Sequence, residues 1–594
     1  MELALLDWTI IVAYLVLALG IGLLFRGRAG RGLVEYFVSG RSLPWWLAGT
    51  SMVATTFAAD TPLAVTGLVA RHGLAGNWFW WSFALGGMIT VFLYARLWRR
   101  AAVLTDVELV ELRYGGRPAA FLRGFRAVYI ALLVNAIIIG WVTGAMVTVL
   151  QHTVFAGTGA GEASEWPMIV VLLAIVGVYA TLAGLWGVVV TDLFQFVIAM
   201  LGCIALAVVA VGHLGGVEAM RLRVAQNFGG GEQAFSYLPD FFGADPWMPL
   251  SIFLIMLFVQ WWASWYPGAE PGGGGYIVQR MASAKDEKHS IMATLWFQIA
   301  HYCVRPWPWL LVAFAALAMY PDLRTATDPG AGFPMVMRDL APVGLRGLLL
   351  VAFFAAFMST ISTQMNWGAS YLVNDFYKRF VRPEADGRHL TRVSRLTSLL
   401  ILAIGSVAAY LMRDLSVDEA WKFLAALGAG TGAVFMLRWF WWRINAWSEI
   451  VAMVASLVFF IVVSRFIEGN EYRLAIVAGL TIAAWLLATF LTAPERWQTL
   501  ERFYRQVRPG GPGWRPLARR APEIEPDRHI PLLLLAAVLA AAIVYLTLPG
   551  VGLLIFGDYA AAALCLAGAA VCAGGVALVM RVVGWGPGLG SHLP

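Results

Sequence analysis

The sequence AAFMSTIST at residues 355–363 lies inside a long hydrophobic segment and brings four hydroxyl groups together. Ser359, Thr360, Ser362 and Thr363 have the spacing that puts all four side chains on one side of a helix. In a bilayer such a cluster either bonds back to its own helix or takes a polar partner. Sodium is one such partner, because this hard cation takes hydroxyl and carbonyl oxygens as ligands.

The composition of the whole chain places this cluster in a membrane protein. The 594 residues are 60% hydrophobic and only 13% charged, which excludes a soluble globule and indicates a multi-pass membrane protein. The four cysteines lie in apolar segments without ligand spacing, so neither a zinc site nor a disulfide framework is expected. The N-terminus is acidic before its first hydrophobic run and lacks a cleavage site, so we expect a retained first helix.

Runs of about 20 apolar residues predict about fifteen transmembrane helices. The predicted spans are 6–25, 46–70, 77–98, 124–151, 167–184, 187–213, 248–266, 291–320, 342–375, 394–412, 416–438, 446–465, 473–493, 530–549 and 558–580.

The basic residues predict the orientation of these spans. Most of the 42 Lys and Arg fall in alternate loops, at 26–45, 96–126, 276–290, 376–395, 438–445 and 494–529. The positive-inside rule then puts the N-terminus outside and the C-terminus in the cytoplasm. The membrane is expected to be a cell membrane, either the plasma membrane or the inner membrane. It also explains the net charge of +7 without a nucleic-acid partner. We expect the 494–529 segment to be a solvated loop, with contact to anionic lipid as the alternative.

Two of the spans are interrupted. Thr55–Pro62 is polar and carries a proline near the centre of the second span, and the seventh span runs into the Pro-Gly-rich residues 266–275. The two breaks are five spans apart, as in an inverted five-plus-five helix repeat of the LeuT type, with the binding site where the breaks meet. The predicted units are 1–45 (first helix and loop), 46–213 (first repeat), 214–247 (external loop), 248–445 (second repeat) and 446–594 (extra helices with the basic linker 494–529).

Two charged residues fall near mid-membrane. Asp60 and Arg305 each lie about fourteen or fifteen residues into a span, where a lone charge costs at least about 2.5 kcal/mol. They either pair with each other or face a polar solute, and both can hold in turn. Asp192 lies near a helix end and either neutralises a second cation or sits at a wet interface. His301 is expected to be a packed, neutral side chain.

The sequence contains no catalytic constellation. It has no Gly-Xaa-Ser-Xaa-Gly elbow, no Walker phosphate loop and no His-Glu-Xaa-Xaa-His helix, so we expect neither an enzyme nor a cofactor. The glycines at 272–275 follow no strand and read as an unwound hinge.

Four stretches resemble the sodium/solute symporter family, which includes sodium/glucose, sodium/proline and sialic acid cotransporters. They are Tyr36–Trp46 (YFVSGRSLPWW), Val190–Phe196 (VTDLFQF), Tyr276–Arg280 (YIVQR) with the nearby Ala284-Lys285, and Ala355–Arg379. Each is weak alone, but all four occur in the right order, and the resemblance covers about residues 35–440.

The resemblance implies an inverted-repeat transporter fold and a sodium site between the second and ninth spans. Its ligands would be the backbone carbonyls of Ala54, Phe57 and Ala356 and the hydroxyls of Ser359 and Thr360. A possible second sodium would use Asp192, Ser362 and Thr363. The family resemblance therefore favours the functional interpretation of the hydroxyl cluster.

The candidate solute contacts are Asp60, Thr61, Trp80, Ser264, Trp265 and Arg305. Trp80 stands where a sugar transporter has a carboxylate, Arg305 stands where it has a lysine, and the stretch 267–275 is an insertion. These departures put glucose-like recognition in doubt. An organic acid, an amino-acid-like compound or a modified sugar all fit an Arg fork and a carboxylate.

The sequence as a whole predicts a sodium-coupled symporter that takes up a small polar organic solute across the lipid bilayer by alternating access. The alternatives are a proton-coupled solute transporter, using Asp60 or Asp192, and a transporter-like solute sensor.

Overall fold

The computed structural model describes residues 2–29, 31–156, 165–228, 233–243, 246–263, 271–413, 421, 428–467 and 469–585. Across these residues the regular structure is helical, with a single isolated bridge between Leu43 and Ala284.

The first part of the chain forms α1 (Leu5–Ala29), α2 (Leu33–Val38), α3 (Trp45–Thr55), α4 (Asp60–His72), α5 (Trp78–Trp81), α6 (Ala84–Ile89), α7 (Ala95–Ala101), α8 (Leu109–Arg113), α9 (Gly116–Val128), α10 (Asn135–His152), α11 (Glu165–His213) and α12 (Val217–Asn227). A π-helical turn at Thr90–Tyr94 joins α6 to α7, and another at Tyr129–Val134 joins α9 to α10. Gly184, with φ of 58°, kinks α11 at the boundary predicted between two spans.

The second part forms α13 (Leu250–Ile255), α14 (Trp261–Ala263), α15 (Gly275–Ser283), α16 (Glu287–Ile299), α17 (Pro306–Met319), α18 (Gly332–Leu340), α19 (Leu345–Ser370), α20 (Gly387–Leu411), α21 (Thr431–Leu437), α22 (Ala446–Val463), α23 (Asn470–Leu491), α24 (Trp497–Val507), α25 (Arg515–Ala518), α26 (Ile530–Ile555) and α27 (Tyr559–Val583). Its π-helical segments are Met256–Gln260, Ala300–Val304 and Tyr371–Val381.

The membrane-spanning character predicted from composition is confirmed. Within the described residues, 11 helices are long and apolar enough to cross a membrane, and the bent pair α3 and α4 brings the number to 12. Shorter apolar helices at 166–181 and 250–263 coincide with two more predicted spans. Residues 416–420 and 422–427 of the predicted span 416–438 lie outside the described residues, so the count of about fifteen stays a prediction.

Both helix interruptions fall where the sequence predicts them. The helix axis bends by 58° between α3 and α4, and none of the connecting residues 56–59 belongs to a helix. In the other break, Gly272 and Gly273 have φ of 77° and 86°, a conformation that favours glycine. The predicted loop at 276–290 is wrong: α15 begins at Gly275, and all nine of its residues are buried, the polar Gln279 and Arg280 included.

The basic loops meet at one end of the molecule, which we call the basic end. There Arg100 pairs with Glu287 at 2.9 Å and with Asp527 at 3.1 Å, so residues from three distant segments share one ionic cluster. Arg379 likewise pairs with Glu111 at 2.9 Å.

The 494–529 linker is packed against the basic end, and the expectation of a solvated loop is wrong. Its helix α24 buries Leu500, Phe503, Tyr504 and Val507, whose spacing gives one apolar face. Trp514 is 1% exposed and donates to the Trp439 carbonyl at 2.7 Å. The many arginines of the 494–529 segment suggested a solvated loop, although its apolar residues have the spacing of an amphipathic helix.

The first helix is tied to α19 by one carboxylate. Asp7 is fully buried, and its Oδ1 accepts from the backbone N–H groups of Gly344 and Gly347, both at 2.8 Å. These N–H groups begin α19 and have no partner within the helix, so Asp7 satisfies them from another element.

We expect Asp7→Ala to lower the free energy of unfolding by about 1–3 kcal/mol, because the buried Gly347 N–H and the partly buried Gly344 N–H lose their acceptor. The midpoint of thermal unfolding in detergent measures this loss. Glu2→Ala, at an exposed acidic residue of the same segment, is the control and should leave the midpoint unchanged. Equal midpoints for the two variants would contradict the capping role.

Candidate functional site

A cavity of about 120 Å³ lies beside the break between α3 and α4. Its walls come from the bent pair, from the third span at 79–87, from α10, from the 297–305 segment and from α19. Four of these walls adjoin or contain π-helical turns, which widen a helix locally and are frequent at functional sites. Residues from both predicted repeats therefore line the same cavity.

Asp60 and Arg305 both line this cavity. Asp60 is 3% exposed; its Oδ2 accepts from Trp421 Nε1 at 3.1 Å, while its Oδ1 has no hydrogen-bond partner among the described residues. Asp60 also begins α4, where the positive end of the helix dipole favours a carboxylate. The structure thus leaves one carboxylate oxygen available to a cavity ligand.

Arg305 is held on the opposite side of the break. It donates to Thr56 Oγ1 at 3.1 Å, and its other terminal nitrogen lies 2.6 Å from His301 Nδ1. Thr56 in turn bonds back to the Val53 carbonyl at 3.0 Å, so the guanidinium is attached to the end of α3. His301 lines the cavity beside Arg305, so it belongs to the site as well as to the packing.

Aromatic rings make up much of the remaining wall. Trp80 stacks on Tyr302 with ring centroids 5.6 Å apart, and its Nε1 donates to Asn77 at 3.0 Å. Phe79, Phe83 and Trp141 complete the apolar side. The cavity therefore combines a carboxylate, a guanidinium and stacking surfaces, which suits a small polar solute.

The hydroxyl cluster that opened the sequence analysis lies on the buried face of α19, next to the break. Thr360 Oγ1 donates towards the Thr55 carbonyl at 2.9 Å and the Ala356 carbonyl at 3.2 Å. Ser359 Oγ is fully buried without a hydrogen-bond partner among the described residues. A buried hydroxyl left unsatisfied beside converging carbonyl oxygens is a suitable place for a cation.

Ala54 and Phe57, whose carbonyls are also predicted sodium ligands, lie at the same break. Ala54 is in the last turn of α3, and Phe57 is in the break itself. The Phe57 N–H bonds to the Ala54 carbonyl at 3.0 Å, closing a turn at the end of α3. Both residues are buried. The predicted sodium ligands therefore come from two elements that the structure places in contact.

A second polar cluster surrounds Asp192. Its Oδ2 accepts from Ser51 Oγ at 2.5 Å and lies 3.7 Å from the guanidinium of Arg280. Arg280 also donates to Thr363 Oγ1 at 2.7 Å, while Ser362 bonds back to the Ser359 carbonyl at 3.1 Å. Asp192, Ser362 and Thr363 thus lie near one another, with a protein cation beside them.

The structure brings together most of the predicted site. Asp60, Thr61, Trp80 and Arg305 share the cavity with Thr360. Ser264 and Trp265 lie outside the described residues.

Sequence reasoning missed Arg280, Trp421 and Ser51. Arg280 stands in the quoted stretch Tyr276–Arg280, so a buried arginine next to Asp192 could have been suspected. Trp421 lies in a segment with no distinguishing motif, and its contact with Asp60 is purely tertiary.

The broken helix and the charged cavity between membrane helices are the arrangement found in secondary transporters. The chain belongs to the sodium:solute symporter family, whose sequence model matches residues 36–476. This confirms the family expected from the four quoted stretches.

Two curated relatives illustrate the sequence similarity. The chain is 26% identical over 493 residues to sodium/glucose cotransporter 4 of Danio rerio, covering 76% of this chain and 71% of the relative. It is 24% identical over 486 residues to the sodium/glucose cotransporter of Vibrio parahaemolyticus, covering 77% and 84%.

One solved structure shares the fold. A Na+-coupled sialic acid symporter in a substrate-bound outward-open state aligns with a TM-score of 0.67 at 20% identity, covering 83% of this chain and 99% of that one.

The buried pair of Asp192 and Arg280 yields a stability prediction. We expect Arg280→Gln to destabilise the protein by about 3–5 kcal/mol, because it leaves a buried carboxylate without its counter-charge. Adding Asp192→Asn should recover part of that loss. Thermal unfolding of Arg280→Gln, Asp192→Asn and the double variant measures both effects, and a double variant destabilised by the sum of the two single losses would show that the residues do not interact.

Proposed function

We propose that this protein is a sodium-coupled symporter that takes up a small polar organic solute by alternating access. The observation that carries the proposal is the buried, unsatisfied Ser359 hydroxyl beside Thr360, at the point where α19 contacts the break in the second span. Family membership supports the same conclusion.

The coupling sodium binds Ser359 Oγ, Thr360 Oγ1 and the carbonyl oxygens of Ala54, Phe57 and Ala356. When Thr360 donates its proton to a carbonyl, its oxygen lone pairs stay free for a cation. Five neutral oxygens suit sodium, which needs no buried formal charge. Because the ligands come from both the broken helix and α19, sodium holds these two elements together.

Sodium then couples to the solute through the break. Thr55 and Thr56 connect the two sites: the Thr55 carbonyl accepts from Thr360, and the Thr56 hydroxyl accepts from Arg305. Sodium orders this segment and so orders one wall of the solute cavity. By linkage, the solute must raise sodium affinity by the same factor.

The solute carries an anionic or hydroxyl-rich group towards Arg305 and a donor towards Asp60 Oδ1. An amino-acid-like compound, an organic acid with hydroxyls or a modified sugar has both features. Thr61, Trp80, Ser264 and Trp265 supply the remaining contacts, with the indoles stacking on apolar parts of the solute.

A second sodium at Asp192, Ser362 and Thr363 is a further part of the proposal. Arg280 already supplies a positive charge 3.7 Å from Asp192, so a sodium there would have to share that carboxylate. The site is therefore expected to be weaker than the one at Ser359.

The finer architecture belongs to the same proposal. It comprises two inverted five-helix repeats within 46–213 and 248–445, about fifteen transmembrane helices, an outside N-terminus and a cytoplasmic C-terminus in the plasma or inner membrane. The clustering of basic loops at one end of the molecule supports this orientation.

Thermal unfolding of the purified protein in sodium and in potassium at equal ionic strength tests the function. A panel of D-glucose, L-proline, L-lactate, D-glucuronate and N-acetylneuraminate is added in each salt. We expect sodium to raise the midpoint and at least one panel member to raise it further only in sodium, because ligands that prefer the native state stabilise it. Equal stabilisation by solutes in both salts would exclude sodium coupling and favour a proton-coupled carrier or a solute sensor.

The double variant Ser359→Ala with Thr360→Ala tests the sodium site. We expect the sodium concentration for half-maximal stabilisation to rise at least about tenfold, because two of the proposed oxygen ligands are lost. Ser370→Ala, a buried serine of the same helix that bonds to the Trp367 carbonyl, is the control and should keep the wild-type value. If the double variant keeps the wild-type sodium concentration for half-maximal stabilisation, the sodium site is assigned to the wrong residues.

A further inference from the structure

The third span contains a short break that no sequence motif predicts. Helix α5 ends at Trp81 and α6 begins at Ala84, with Ser82 and Phe83 in turns between them. In a continuous helix the Leu85 N–H would bond to the Trp81 carbonyl. Within a membrane, backbone groups released in this way need another partner, because water is absent and an unmade bond costs free energy.

Tyr545 supplies that partner from a distant part of the chain. Its hydroxyl donates to the Trp81 carbonyl at 3.1 Å. One hydroxyl thus satisfies the carbonyl that a regular helix would have joined to the Leu85 N–H. Tyr545 also packs its ring 5.4 Å from that of Trp78, on the turn before the break.

Helix α26, which carries Tyr545, is fixed along this wall by further bonds. Trp307 Nε1 donates to the Leu548 carbonyl at 3.1 Å, and Tyr237 donates to the Pro549 carbonyl at 3.3 Å. Pro549 lies inside the helix, where its missing N–H and its ring disturb the backbone bonding. These contacts hold the Tyr545 hydroxyl at a set position relative to the third span.

The break determines which side chains reach the cavity. Trp80 precedes it and Phe83 lies within it, and both line the cavity. Trp81, between them, is instead buried at 2% exposure with its ring 5.9 Å from Trp78. Closing the break into a regular helix would rotate Phe83 and the residues after it relative to Trp80.

We propose that Tyr545 is a positioning residue for the solute cavity, acting by replacing the missing backbone hydrogen bond of the third span. This inference rests on the proposed function. It assigns a role in solute recognition to α26, which lies beyond the residues 36–476 that the family model matches. Trp80 and Phe83 touch the solute, whereas Tyr545 acts through the backbone that carries them.

The variant Tyr545→Phe removes the hydroxyl and keeps the ring. With the panel member that stabilises the wild type most in sodium as the probe, we expect its half-saturating concentration to rise about tenfold, as expected when a buried hydrogen-bonding group is left unsatisfied. The half-saturating concentration of sodium alone should stay within about twofold, because its ligands lie on other helices. Tyr559→Phe, at an exposed tyrosine of α27, is the matched control and should change neither value.

Two outcomes overturn the inference. One is a half-saturating solute concentration in Tyr545→Phe that equals the wild-type value. The other is an equal rise in the half-saturating concentrations of solute and of sodium, which would indicate a general structural role.

Hydrogen exchange in nanodiscs adds a measurement on the wild-type protein, which decides the contact even if the variant does not fold. We expect peptides covering 81–86 to exchange as slowly as those of the neighbouring helix Ala95–Ala101, because the amides of Ser82 and Phe83 are bonded within the turn that Tyr545 holds in place. Exchange at the rate of an open turn would contradict that role. If no panel member stabilises the wild type in sodium, the proposed function fails, whereas the exchange result still decides the role of Tyr545 at the break.

Discussion

The central constraint on this protein is that a helix broken inside a membrane must satisfy the backbone groups that the break releases. The Thr55 carbonyl at the end of α3 accepts from the Thr360 hydroxyl of α19, and the Val53 carbonyl accepts from Arg305 at 3.4 Å. Each repair comes from a different helix. The break is therefore also the junction at which the sodium candidate, the solute cavity and two packed elements meet, and the proposed coupling of the two ligands depends on this connection.

The same need recurs at other places in the fold. Asp7 of the first helix satisfies the start of α19, and the Tyr545 hydroxyl satisfies the gap in the third span. In both cases a helix outside the proposed repeats completes a helix within them. The helices added at the two ends of the chain are thus bonded to the backbone of the transport core, and they do not merely surround it. At the basic end, Arg100 connects the linker through Asp527 to the start of α16 through Glu287.

Much of the fold could be predicted because the residue types that determine a membrane helix lie within one short stretch of sequence. Apolar runs marked the spans, proline and glycine marked both interruptions, and the spacing of Ser359 and Thr360 marked a polar face on α19. The errors arose where a local pattern had two physical solutions. Residues 276–283 looked like a loop because they are bracketed by glycines and charges, yet they form the buried helix α15. The linker looked solvated because it is rich in arginine, yet Leu500, Phe503 and Trp514 are buried in it.

The sequence by itself determined the class of protein, the two broken helices and the residue types of the site, because hydrophobicity, helix-breaking residues and hydroxyl spacing act over a few turns. Only the tertiary structure decided the partners. Asp60 with Trp421, Asp192 with Arg280 and Trp81 with Tyr545 are each separated by more than 80 residues in the chain. Such pairings depend on how helices pack, and packing is set by the fit of many side chains at once, which no short stretch of sequence contains.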